Sequence, residues 1–104
     1  VKFDEAEGLF RQALSLEETL SGPASIKIGR RLAELAATLA ARKKWEEGFA
    51  CVERLTRFDA DYASGERIFL TKLFQHYAKQ ARAMSRLDLS ATLEASAEAL
   101  RPAN

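Results

Sequence analysis

One interval relates residues along most of the chain. With Phe3, Trp45 and Leu87 set in register, the step is 42 residues each time, and it also carries Ala6 to Gly48 to Ser90 and Ala13 to Leu55 to Ala97. The same step takes Ile26 to Ile68, Leu32 to Phe74, Leu35 to Tyr77, Ala36 to Ala78 and Leu39 to Ala81. Most large apolar residues fall on large ones and most small on small, the exceptions being Leu55 between two alanines and Leu39 against Ala81. A fixed period of this length is the mark of stacked supersecondary units, each burying its apolar face against the next.

Within each period the apolar spacing is helical. Ala6, Leu9, Phe10, Ala13, Leu14 and Leu20 recur at steps of three and four, which predicts a first helix over residues 4–20, stopped by the "SGP" of residues 21–23. Ser25 is placed to cap a second helix carrying Ile26, Leu32, Leu35, Ala36 and Leu39. A third, from Trp45 or Glu46 to about Phe58, buries Phe49, Val52 and Leu55. "DADYASG", with Gly65, reads as a loop before a fourth helix with Ile68, Leu70, Leu73, Phe74, Tyr77 and Ala81. "SRLD" at residues 85–88 has capping-box spacing, which predicts a fifth helix over residues 86–100, ended by "RPAN".

The stretch "LAELAATLAARKKWEEGFACVERL", residues 32–55, admits two readings. One is a single long helix, since no strong breaker interrupts it. The other is an antiparallel hairpin turning at Arg42, Lys43 and Lys44. A helix from Ser25 to Phe58 would far exceed the usual length, and Glu46 and Glu47 suit the N-terminus of a new helix, so the hairpin is expected. Trp45 then plugs the corner, and Gly48 and Ala36 leave room where facing helices approach beside Leu35.

These residues resemble the tetratricopeptide repeat family, and most closely its long, 42-residue variety, seen in kinesin light chains and many bacterial proteins. The likeness rests on "FDEA" at residues 3–6, "WEEG" at 45–48, Leu35-Ala36 followed by Leu39, "LFRQAL" at 9–14 and "GP" at 22–23. It implies an all-α, antiparallel helix-hairpin repeat array forming a right-handed superhelical segment. The organisation would be one repeat domain over residues 1–104: the second helix of a partial repeat (1–20), a complete repeat (25–58) and a divergent repeat (66–100). This chain departs from the family where a basic residue replaces the glycine usual near the first turn, where Glu94 takes the register of Phe10 and Val52, and where Ser90 replaces a small apolar residue. Leu93 restores an apolar contact only if the last helix rotates slightly.

Chemistry for catalysis is sparse. His76 and Cys51 are the only residues of their kinds, the five glycines are scattered, and neighbouring acids such as Glu46 and Glu47 point about 100° apart on a helix. His76 and Cys51 read as structural, no metal or cofactor is expected, and the chain is not expected to be an enzyme. Sixteen basic residues against fifteen acidic ones give a formal net charge of +1, which supplies no global field for nucleic acid or an anionic membrane. Lys27, Arg30, Arg31, Arg42, Lys43 and Lys44 form the one local patch that could meet phosphates, the basis of a minor nucleic-acid reading. No apolar run is long enough to span a membrane. The chain opens on Val1, so it is expected to be processed or excised from something longer. A cytoplasmic location is the expectation.

Binding is the remaining class. The resemblance implies a groove lined by the first helix of each repeat: Arg30, Ala33, Ala37, Ala40 and Ala41, then Lys72, Gln75, Lys79, Arg82 and Ala83. Of these, Arg30, Ala33, Ala37, Lys72, Gln75, Lys79 and Arg82 are the candidate peptide-binding residues, suited to an acidic peptide or an acidic helical surface. The family's carboxylate-binding members use groove asparagines, and the only asparagine here is Asn104. The alternatives are a structural scaffold or an oligomerisation segment of a larger protein. Weak self-association at most is expected through the open face of the first helix, with Asp4, Glu5, Glu7 and Arg11 keeping much of that face hydrated.

Overall fold

The structure, a computed structural model, describes residues 2–22, 25–58 and 62–101. Pro23, the first residues of the "DADYASG" loop and the end of "RPAN" lie outside the described residues. Five helices follow one another: α1 Phe3–Ser21, α2 Ile26–Ala41, α3 Trp45–Leu55, α4 Ser64–Ala83 and α5 Leu87–Leu100. Among the described residues there is no strand. The chain divides into two units, residues 1–58 and 59–104.

In the first unit α2 packs on both α1 and α3. Residues 32–55 do not form one helix: α2 closes at Ala41 and α3 opens at Trp45. The turn is built by the backbone. Arg42 remains in the right-handed helical region and Lys43 flips to φ 59°. The Lys44 N–H then donates to the Leu39 carbonyl at 2.9 Å, and the Lys43 N–H to that of Ala40 at 3.0 Å. A left-handed residue with these two back-bonds satisfies carbonyls that a helix end otherwise leaves open. The basic triplet therefore makes the turn, and Trp45, half-buried, is the first residue of α3.

In the second unit α4 packs on α5 through a turn of the same construction, 42 residues later. Ser85 takes φ 61°, the Arg86 N–H donates to the Ala81 carbonyl at 2.8 Å, and the Ser85 N–H to that of Arg82 at 3.0 Å. This corrects the capping-box reading of residues 85–88. Arg86 is the N-cap of α5 and no side chain caps it, because Ser85 is consumed as the left-handed residue closing α4. Helix α4 also starts earlier than its apolar spacing indicates, taking Ser64 and Gly65 into its first turn. There the Glu66 carboxylate accepts from the Ala63 N–H at 3.3 Å. Alanine has no acceptor to offer in return, so only half of a capping box forms.

The period governs burial as well. Leu32 and Phe74, Leu35 and Tyr77, Ala36 and Ala78, and Leu39 and Ala81 are all buried, none more than 2% exposed. Each large side chain among them contributes about 1.5–3 kcal/mol when fully buried. The second helices differ. Helix α3 buries Gly48, Phe49, Val52 and Leu55, whereas α5 buries Ser90, Leu93 and Ala97. One period earlier Leu93 corresponds to half-buried Cys51, and exposed Glu94 to buried Val52. The buried face of α5 is thus turned by roughly 60° at 100° per residue. Ser90 fits because its hydroxyl donates to the Ala78 carbonyl at 2.9 Å, so no polar group is stranded.

Candidate functional site

Helix α4 carries Gln75, Lys79 and Arg82 at steps of four and three, which places them on one face. Against them stand Glu94, Ala97, Glu98 and Arg101 at the end of α5, and the seven residues line a hollow of about 460 Å³. Its charges alternate. Arg82 Nη2 reaches Glu94 Oε1 at 2.6 Å, and Arg101 Nε reaches Glu98 Oε2 at 3.2 Å. Arg82 and Glu94 are 64% and 50% exposed, so water screens their attraction and the pair is worth about 0–1 kcal/mol. It can exchange partners at little cost.

Three expected groove residues, Gln75, Lys79 and Arg82, therefore share one site within the second unit. Lys72 is exposed on α4 and does not line the hollow. Arg30, Ala33 and Ala37 belong to α2 in the first unit. Arg30 is exposed, Ala37 half-buried, and Ala33 only 4% exposed, packed in the core and offering a partner almost no surface. Ala40 is half-buried, while Ala41 and Ala83 are exposed. The packing residues Leu35, Ala36 and Gly48 are buried.

A second polar constellation lies in the first unit. Glu7 of α1, 7% exposed, is held by three cations: Arg42 Nη1 at 2.6 Å, Arg11 Nε at 2.9 Å and Lys44 Nζ at 3.1 Å. Burial alone would raise the Glu7 carboxyl, but the hydrogen bonds from Arg11, Lys44 and Arg42 outweigh it and bring its pKa down to about 2. Arg11 is held protonated chiefly by its bond to Glu7, and it also pairs with Glu47 of α3. The expectation that Glu7 hydrates an open face is corrected: the side chain turns inward because Arg42 and Lys44 of the α2–α3 turn, 35 and 37 residues away, satisfy both of its oxygens. Glu18 pairs with Arg54 at 3.0 Å, a further tie between α1 and α3.

These pairs consume much of the basic patch. Arg42 and Lys44 serve Glu7, and Arg31 bonds Glu34 at 2.9 Å, which leaves less charge for phosphates. Burial pushes the Cys51 thiol up, with Arg11 and Arg54 pulling it partly back, so the reactive thiolate is disfavoured. His76 is exposed on α4 with its ring edge-on to Tyr77, centroids 6.2 Å apart. Among the described residues no group of three or more His, Cys, Asp or Glu could hold a metal ion, and no helix is long and apolar enough to cross a membrane. No family model, curated protein or solved structure matches the chain.

Proposed function

We propose that the chain is a non-enzymatic helical-repeat module of the tetratricopeptide kind that binds a protein or peptide, with the α4–α5 hollow receiving an acidic segment. The observation that carries this reading is the convergence of Gln75, Lys79 and Arg82 on one open hollow with an exposed, exchangeable ion pair at its rim. A partner carboxylate meets Lys79 and takes Arg82 from Glu94, while Lys72 on the same helix adds attraction at longer range. Gln75 supplies a neutral donor and acceptor beside the charges. The contacts are individually weak, so the affinity is modest and falls with salt.

The test is fluorescence anisotropy with a capped oligoglutamate peptide and a capped oligoglutamine control. The acidic peptide is expected to bind and the control not. Replacing Lys72, Lys79 and Arg82 together by Gln weakens binding by about tenfold, three exposed pairs each worth up to about 1 kcal/mol. Unchanged affinity in a variant of normal helical content rejects the hollow as the recognition surface.

A further inference from the structure

The largest exposed apolar side chains of the first unit are concentrated on α1. Leu9, Leu16 and Leu20 are 64%, 60% and 73% exposed, and with Ala13 they recur at steps of four, three and four, a single stripe along the helix. Helix α1 already meets α2 on another side, where Glu7 reaches the α2–α3 turn and Phe10 and Leu14 are half-buried. The stripe is a second apolar face.

The repeat indicates what covers such a face. Three helices enter through the same backbone: Lys2, Lys44 and Arg86 have φ,ψ of −94°,86°, −89°,69° and −92°,71°. Each also accepts the first intrahelical bond, from Ala6 at 3.1 Å and from Gly48 and Ser90 at 3.0 Å. Helices α3 and α5 each pack on the helix that precedes them in a hairpin. The face that α5 turns to α4 is Ser90, Leu93 and Ala97, and two periods earlier these positions are Ala6, Leu9 and Ala13. Leu93 is fully buried while its counterpart Leu9 is mostly bare. By the register of α5, and among the described residues, helix α1 carries the hairpin face of a second helix with no first helix upon it.

Charge selects the occupant. At 100° per residue the acids that flank the stripe are Glu5 and Glu17, while Glu7 and Glu18 are turned to Arg42 and Arg54, and the two first helices are net basic: α2 with Lys27, Arg30 and Arg31 against Glu34, α4 with Arg67, Lys72, Lys79 and Arg82 against Glu66. Laying a second copy's α1 along the stripe would set one acidic helix on another. We propose that the outward face of α1, the stripe Leu9, Ala13, Leu16 and Leu20, docks a partner's antiparallel amphipathic helix of the α4 type, an apolar ridge of mixed small and large residues bordered by Lys and Arg. One helix covers less than the roughly 800 Å² per partner of a standard interface, so the complex is weak when formed between separate molecules.

The experiment titrates the isotope-labelled full chain with a capped synthetic peptide of residues 64–84 and follows the amide resonances. Saturable shifts centred on residues 9–20 are expected. The double variant Leu9→Lys, Leu16→Lys, whose positions are exposed and whose fold is checked by circular dichroism, weakens binding by about tenfold or more. A peptide carrying Lys72→Glu, Lys79→Glu and Arg82→Glu also binds at least about tenfold more weakly. The proposal is overturned by an absence of binding at millimolar peptide, by shifts confined to α5, or by unchanged affinity in the double variant. Concentration-dependent dimerisation that the double variant abolishes, with no effect of the peptide, would assign the face to a second copy and equally overturn it.

Discussion

Helices α1 and α5 begin alike and then diverge. Both enter through the same N-cap backbone, at Lys2 or Arg86, and both make the same first-turn bond. Helix α1 has Glu7, Phe10 and Leu14 on the side that meets α2, and Leu9, Ala13 and Leu16 on another. Helix α5 carries Leu93 and Ala97 against α4, but Ala91, Glu94 and Glu98 at the positions equivalent to Glu7, Phe10 and Leu14 are exposed. The carboxylates of Glu94 and Glu98 border the hollow. The backbone program is common to both helices, and side-chain polarity decides which faces can be joined. An apolar side invites another helix, and a charged side stays wet and offers ion pairs.

The widest separation between the two helices should come from one substitution made at equivalent positions. Leu93→Ala opens a cavity in a fully buried site and is expected to cost about 2–4 kcal/mol. Leu9→Ala, two periods earlier and 64% exposed, should change stability by no more than about 0.5 kcal/mol. Urea denaturation of both variants checks the pair. Similar losses would mean that α1 is already covered and the comparison is mistaken.

Next in size is Glu7, whose counterpart on α5 is Ala91. Glu7→Gln leaves Arg11, Arg42 and Lys44 clustered without their anion. Because those cations are 46%, 30% and 36% exposed, water absorbs part of the loss, and about 1–3 kcal/mol is expected. The folded carboxyl sits at about 2 against an ordinary 4.5. The unfolded state therefore binds more protons between those values, and stability rises with pH across this window. The contribution is fully present above about pH 5 and is lost as pH falls toward 2. Denaturation midpoints from pH 6 to pH 2 should flatten in Glu7→Gln relative to the unsubstituted chain.

Much of this was legible in the sequence because the period pairs residues that pack locally: Leu32 with Phe74, Leu35 with Tyr77, and the turn at Arg42, Lys43 and Lys44 with its counterpart at residues 84–86. The Glu7 cluster was not, since its partners are 35 and 37 residues away and nothing local shows which of the chain's acids they meet. Ser85 was misleading because its spacing from Asp88 imitates a cap, whereas the preceding helix claims it first as a left-handed residue. Gly65 suggested a loop but sits in the first turn of α4, where helical cost is low. Gln75, Lys79 and Arg82 were expected on one face of α4, and they line the hollow there. Their opponents Glu94 and Glu98 were not expected, because the turn of α5 that exposes them follows from packing Leu93.

A smaller effect tests whether the two turns are equivalent. Lys43 and Ser85 both hold positive φ, which costs a non-glycine residue roughly 1–2 kcal/mol, partly offset by glycine's greater freedom when unfolded. Lys43→Gly and Ser85→Gly should each stabilise the chain by up to about 1 kcal/mol in thermal denaturation, and by similar amounts. A gain at one site only would separate the turns. Smallest of all, Glu98→Gln removes an exposed partner of Arg101 and should move stability by less than about 0.5 kcal/mol, in contrast to the buried carboxylate of Glu7.

The account stands on the 42-residue hairpin repeat, and the backbone at the two turns tests it most directly. Residue-by-residue chemical shifts with three-bond HN–Hα couplings, measured on the full chain in solution, report helix boundaries and the sign of φ. Helical shifts interrupted at residues 42–44 and again at 84–86, with positive φ at Lys43 and Ser85, are the predicted result. Unbroken helical shifts from Ile26 through Leu55, with negative φ at Lys43, would contradict it.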